Sequence, residues 1–126
     1  MLTITPLPVL SNPDTTARQV IAEGTVALSG SYVVHGDTLN LQQLGDAAKS
    51  SQLPTKVEVW EDPPAGTSPS FAQFVFCPGT TQANGVLAIA LIGVELTAET
   101  YATAFPAALP TLRVRAYFPA DRKSVV

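Results

Sequence analysis

The sequence feature that most limits the possible folds is a pair of apolar runs, at residues 71–77 and 86–94, on either side of a short connector. The first run reads FAQFVFC, the connector PGTTQANG and the second run VLAIALIGV. Two runs of this length around Pro, Gly and Asn are typical of strands joined as a β-hairpin. The hairpin is therefore predicted to form the centre of the fold.

The second strand of this hairpin is apolar on both faces. Because side chains alternate along a strand, one face carries Leu87, Ile89 and Leu91. The other face carries Val86, Ala88, Ala90 and Ile92. Such a strand belongs near the middle of a sheet that is covered on both sides, by its own core or by another subunit. We predict that the leucine face is core and that Ala88, Ala90 and Ile92 are candidate contacts with a partner.

The rest of the chain has the same character of short strands and turns. Its 126 residues include 11 prolines and 8 glycines, and about seven strand-like segments follow one another at roughly 8–15-residue spacing. The clearest is TLRVRAYF at residues 111–118, which alternates apolar and polar side chains. We predict an all-β fold, a single-domain antiparallel β-sandwich or jelly-roll-like barrel of about seven strands with at most short helical turns.

The predicted domain has a segment at each end. Residues 1–17 are expected to form an extended N-terminal arm or edge strand, residues 18–119 the β-sandwich and residues 120–126 a flexible tail. Three prolines in the first thirteen residues remove backbone donors that a central strand needs. The arm is then either an edge strand of its own domain or an extension onto a neighbouring subunit, with candidate contact residues Leu2, Ile4 and Leu7.

Charge is scarce in this chain. Only 13% of residues are charged, and seven basic and ten acidic residues give a net charge of −3. The basic residues form no run, so neither a nucleic-acid footprint nor a polybasic membrane patch is expected. No apolar run approaches the roughly 18 residues of a membrane span. A surface with few charges favours assembly, and a homo-oligomer, a dimer or a trimer, is expected.

The sequence offers little material for catalysis or metal binding. His35 is the only histidine and lies in the turn context VVHGDT, while Cys77 is the only cysteine and is expected to be a small buried hydrophobe. The tightest acidic group, Glu58, Glu61 and Asp62, is expected to be a solvated strand end rather than a cation site. We therefore expect no catalytic, cofactor-binding or metal-binding residues, and no enzymatic activity.

A basic and aromatic row lies on the second face of the strand at residues 111–118. Arg113, Arg115 and Tyr117 alternate there with apolar residues. The row is consistent with a patch that faces an anion or a sugar, with the outer face of an edge strand, or with half of an intersubunit contact. The three residues are therefore further candidate interface residues.

Four segments of the chain resemble capsid decoration, or cement, proteins of tailed bacteriophages. The segments are GTVALSGSYVVHGDTLNL at 24–41, LPTKVEVW at 53–60, FVFCPGTTQANGVLAI at 74–89 and TLRVRAYFP at 111–119. The resemblance implies a β-sandwich-like virion protein that binds the major capsid protein on the outside of the shell and stabilises it without catalysis. Such a protein is made in the host bacterial cytoplasm and ends on the capsid surface.

A second functional class is also consistent with the residues. A tail or fibre module of the same virion that recognises a host glycan would use exposed aromatic side chains, such as Trp60 or Tyr117 near Arg115. The two classes differ in the partner, a protein shell in one case and a sugar in the other.

Overall fold

The computed structural model describes residues 1–7, 19–48, 53–63, 65–66, 69–106 and 108–119. Within these ranges the chain forms eight strands, one 3₁₀ helix at Leu41–Ala48 and one short α-helix, α1, at Tyr101–Ala104. The strands are β1 (Leu2–Pro6), β2 (Gln19–Leu28), β3 (Asp37–Thr38), β4 (Lys56–Glu61), β5 (Ala72–Cys77), β6 (Val86–Leu91), β7 (Val94–Glu95) and β8 (Leu112–Pro119). The prediction of an all-β single domain with short helical turns is confirmed.

The strands form two antiparallel sheets. In the first sheet the order is β1-β2-β8-β4, and in the second it is β3-β6-β5 with β7 also paired to β6. The long strands β2 and β8 pair over eight positions, from Gln19 opposite Pro119 to Val26 opposite Leu112. The hairpin predicted from the two apolar runs is the β5–β6 pair, in which Phe74 lies opposite Ile89.

The core lies between the sheets and is built from the alternate residues of each strand. In β8 the side chains of Leu112, Val114, Ala116 and Phe118 are buried. Leu87 and Ile89 of β6 are fully buried, and Leu91 is partly buried against the same cluster. Successive side chains of a strand point to opposite faces, so a strand with one face in the core buries every second residue.

β1 lies at the edge of the first sheet and is held close to β2. Pro6 lies opposite Gly24, where a Cβ atom would come within 2.6 Å of the Ile4 side chain and 2.9 Å of the Thr5 carbonyl oxygen. Glycine is therefore required here by the close approach of the two strands. The Leu7 amide continues the contact by donating to the Glu23 carbonyl oxygen at 2.8 Å.

The structure corrects the interpretation of the first residues as interface residues. Leu2 is 3% exposed and Ile4 is 5% exposed, because both side chains point from β1 into the chain's own core. Residues 2–6 are thus an edge strand of their own domain, and neither side chain is available to a partner. The remainder of the predicted arm, residues 8–17, and the predicted tail, residues 120–126, lie outside the described residues.

Candidate interaction surface

The outer side of the second sheet carries no charge on its two longest strands. Alternation sends three side chains of β5 and three of β6 away from the core, and cross-strand pairing sets them side by side. We call this surface the uncharged face; it consists of Gln73, Val75, Cys77, Val86, Ala88 and Ala90. At its centre Val75 lies opposite Ala88. Short side chains on paired strands make this surface flat and mainly apolar.

Several residues of the uncharged face are open to solvent. Val75 is 59% exposed, Gln73 and Cys77 are exposed, and Val86, Ala88 and Ala90 are half-buried. The exposed Cys77 corrects the expectation that it packs in the core: Phe76 points inward, so its neighbour on the strand points outward. An exposed apolar sheet face of this kind is a feature of protein–protein contacts.

The outer side of the first sheet is charged instead, around a buried carboxylate. Glu23 on β2 lies opposite Arg115 on β8 and is 4% exposed. Arg113 Nη1 donates to Glu23 Oε1 at 2.9 Å, and Arg115 donates to Oε2 from Nη2 at 2.9 Å and from Nε at 3.1 Å. Arg113 Nε lies 3.2 Å from Asp62 Oδ2, without the alignment of a hydrogen bond.

Two opposing effects set the ionisation of Glu23. Burial raises the pKa of Glu23. Hydrogen bonds from Arg115 and Arg113 and the positive charges of both guanidinium groups together lower the pKa by more than burial raises it. The net pKa therefore lies below the ordinary value, and the carboxylate is charged at neutral pH. Glu23 and Asp62 together supply two negative charges beside the two guanidinium groups, so the charges of Arg113 and Arg115 are largely neutralised within the chain.

The aromatic residues on the outer side of the first sheet also contact charged side chains. Arg115 lies over the Trp60 ring at 5.6 Å, and Lys56 lies over the Tyr117 ring at 5.7 Å. The Tyr117 hydroxyl donates to Glu58 Oε1 at 2.8 Å. β8 is not the edge strand that one interpretation assumed, because it lies between β2 and β4. Arg113, Arg115 and Tyr117 therefore take part in a network within one chain on the outer side of the first sheet, and their role at an interface stays a prediction.

Glu95 forms one border of the uncharged face, next to a turn with left-handed backbone. Its Oε2 accepts from the Tyr32 hydroxyl at 2.7 Å and from the His35 amide at 2.6 Å, and His35 has φ 76°. Burial and the bond to Glu95 raise the pKa of Tyr32 to about 12. The two hydrogen bonds lower the pKa of Glu95. His35 thus has a structural place in a turn, as its sequence context predicted.

Three bulky apolar residues project at one end of the second sheet, and we call them the apolar tip. Ile92 is 92% exposed, Phe71 is 77% exposed and Val94 is 69% exposed. Ala72 and Leu91 form the last pair of the β5–β6 ladder, and Phe71 and Ile92 each lie one residue beyond it. Ile92 was predicted to lie on the outer face of the β-strand, but β6 ends at Leu91 and Ile92 begins the turn to β7.

Only some of the residues of the uncharged face and the apolar tip were predicted from the sequence. Ala88 and Ala90 lie on the uncharged face as predicted, whereas Val75, Phe71 and Val94 were not singled out. The alternation of Phe74, Val75 and Phe76 was a usable signal for Val75. Leu7 is half-buried, and its role at an interface stays a prediction.

The described ranges show neither a candidate metal centre nor a membrane-spanning helix. In them, no three or more His, Cys, Asp or Glu side chains are grouped so as to hold a metal ion. Among the helices of the same ranges, none has the length and apolar character needed to cross a bilayer.

Comparisons of this chain with protein-family models, with curated protein sequences and with solved structures find no match. The two outer faces and the apolar tip are therefore the features from which function is inferred.

Proposed function

We propose that this chain is a capsid decoration protein, a virion structural protein that binds the outside of a bacteriophage shell and stabilises it without catalysis. The observation that carries the proposal is the contrast between the two outer faces. The uncharged face of β5 and β6 contains no ionised side chain, whereas the opposite face has an ion-pair network around Glu23. Depletion of charge at the centre of a surface distinguishes protein contact surfaces from the rest of a protein.

The proposed partner is the major capsid protein, bound through the uncharged face. A flat surface of short side chains suits a broad contact with a shell of repeated subunits better than a pocket would. Stabilisation follows from mass action: a protein that binds only the assembled shell at 100 times its Kd stabilises that state by about 2.7 kcal/mol per site. The resemblance of the four segments to decoration proteins supports the same partner and the same place, the capsid surface.

The proposal is tested by a charge placed at the centre of the face. We expect Val75→Asp to weaken binding to shells assembled from the major capsid protein of the same genome by at least about tenfold, because its carboxylate must be desolvated on docking. The matched control is Thr5→Asp, a similar change of shape at an exposed position of β1 on the other sheet. Binding is measured by co-sedimentation over a range of protein concentrations.

The control must bind as the wild type does, and both variants must keep the wild-type Tm within a few degrees. Equal binding by wild type and Val75→Asp would exclude the uncharged face as the contact. A wild-type protein that does not sediment with the shells at all would contradict the decoration function itself.

A second candidate, glycan recognition by a tail or fibre module, has one observation in its favour. Trp60 is half-buried on the charged side, with part of its ring accessible beside Arg115. Sugars stack on such rings. Binding on a glycan array that disappears in Trp60→Ala would favour this function over the first.

A further inference from the structure

The connector of the central hairpin, residues 78–85, ends in an asparagine–glycine pair, Asn84–Gly85. In such a pair the amide nitrogen of the glycine can attack the side-chain carbonyl carbon of the asparagine, because glycine carries no side chain that hinders the approach. The other two asparagines of the chain precede Pro13, which has no N–H, and Leu41, whose side chain hinders the attack. Asn84 is therefore the chemically most reactive asparagine of the chain.

The reaction is a spontaneous deamidation in which water is the only other reactant. A bond forms between Gly85 N and Asn84 Cγ, the bond from Cγ to Nδ2 breaks, and Nδ2 leaves as ammonia with the proton of the Gly85 amide. Water then opens the resulting succinimide ring. Attack of water at Cγ leaves aspartate at position 84. Attack at the main-chain carbonyl carbon leaves isoaspartate, in which the main chain continues through the former side chain.

The folded connector holds the Asn84 side chain by both of its polar atoms. Oδ1 accepts from the Thr81 amide at 2.9 Å, and Nδ2 donates to the Thr80 hydroxyl at 2.8 Å. Gly79 lies so close to the same side chain that a Cβ atom there would come within 2.0 Å of Asn84 Oδ1. Ring closure requires the amide group to rotate and bring Cγ within bonding distance of Gly85 N. These hydrogen bonds must therefore be broken first.

The glycine of the pair is held by separate contacts. Gly85 is buried, and its carbonyl oxygen accepts from the Leu39 amide at 2.9 Å. A Cβ atom at Gly85 would come within 2.6 Å of the Phe76 ring, so the main chain has no room to shift on that side. The Asn84 side chain, by contrast, is exposed. Water therefore reaches the site as soon as the connector opens.

We propose that Asn84–Gly85 is a site of spontaneous deamidation, and that the hydrogen bonds of Asn84 with Thr80 and Thr81 hold the reaction back in the folded chain. The reaction then proceeds from molecules in which residues 78–85 have opened locally, and its rate follows the population of that open form. Isoaspartate lengthens the main chain directly before Gly85, where Phe76 leaves no room. This product should therefore lose the pairing of Gly85 with Leu39 at the start of β6.

The proposal does not rest on the capsid function, and its test uses the chain alone. The wild type is incubated in warm, mildly alkaline buffer, both folded and in denaturant. Peptide mapping by mass spectrometry measures the deamidated fraction at position 84, and enzymatic methylation of isoaspartate distinguishes the two products. We expect the denatured chain to react at least about tenfold faster than the folded chain. Asn40 in the same digest is the internal reference and should remain intact.

Three variants test the role of the connector. Thr80→Val removes the acceptor of Asn84 Nδ2 at an exposed position and keeps the shape of the side chain. It should raise the rate in the folded chain by roughly fivefold, the change in opening expected from the loss of one hydrogen bond. Thr80→Ser keeps the hydroxyl and should react as the wild type does. The matched control, Thr3→Val at an exposed position of β1, should also leave the rate unchanged.

In denaturant the wild type and all three variants should react at one rate, because no folded connector remains. A denatured wild type in which Asn84 stays intact would overturn the assignment of the site. A folded wild type that reacts as fast as the denatured chain, or a folded Thr80→Val variant that reacts at the wild-type rate, would overturn the protection by the connector. Equal acceleration by Thr3→Val and Thr80→Val would also overturn it, since general stability would then control the rate.

Discussion

Replacing Leu87 with alanine is expected to lower the free energy of unfolding by about 3 kcal/mol, because it empties a fully enclosed part of the core. The Leu87 side chain is 0% exposed and lies between the sheets. The matched change on the other side of the same hairpin, Val75→Ala, should cost no more than about 0.5 kcal/mol, since that side chain is already in contact with water. The contrast measures directly which side of the hairpin is core.

Urea denaturation of the wild type and both variants provides the measurement. The slope m should remain the same in all three, so that the change in midpoint reports stability alone. If Val75→Ala cost as much as Leu87→Ala, the outer side of β5 would be buried in the isolated chain, and the uncharged face would not be a surface. Measurements at low protein concentration keep self-association from contributing.

The second large effect is expected for Glu23→Gln, at about 2 kcal/mol of lost stability at neutral pH. The change removes the charge that two arginines share, which leaves Arg115 without its carboxylate partner and Arg113 with Asp62 alone, at 3.2 Å. Breaking a fully buried ion pair costs about 3–5 kcal/mol. We expect the lower value of about 2 kcal/mol here because Arg113 and Arg115 are each about one-third exposed. The control, Glu99→Gln in a partly exposed loop, should stay within about 0.5 kcal/mol.

The same carboxylate predicts a pH dependence of defined sign. The pKa of Glu23 is lower in the folded chain than its ordinary value of 4.5, so the folded state binds this proton less readily than the unfolded state. Its contribution is therefore complete above about pH 4.5 and is lost as the pH falls through the lowered pKa. The difference in stability between wild type and Glu23→Gln should shrink below that pH. A difference that is constant from pH 7 to pH 3 would contradict the ion-pair assignment.

Local alternation predicted the strands and the inward side of the central hairpin. Leu87 and Ile89 are buried as the pattern required, and so are the apolar residues of the last strand. This works because a strand with one buried face has its side chains fixed by a period of two. The same reasoning was insufficient for Cys77, because Val75 and Cys77 make the outer face of β5 largely apolar despite Gln73, and hydrophobicity alone separates it poorly from the inner face.

The pairing of strands that are far apart in the chain could not be predicted from the sequence. Glu23 and Arg115 are 92 residues apart and meet only because β2 lies beside β8. For the same reason the alternation of Leu2 and Ile4 did not distinguish a strand on its own sheet from an arm on a neighbour. At Ile92, where φ is 51°, an apolar residue occupies a turn position that usually holds Asn, so the turn was hidden within an apolar run. Non-local strand pairing and an unfavourable turn residue thus account for the main differences between the predicted and the observed structure.

The most direct measurement of the central claim is a cryo-electron microscopy reconstruction of shells saturated with this protein. The uncharged face is proposed to be the contact with the capsid, so density for β5 and β6 should lie against the shell, with Val75 and Ala88 at the contact. The charged side around Glu23 should face solvent. A reconstruction in which β5 and β6 face away from the shell, or in which saturated shells show no density for this chain, would contradict the account.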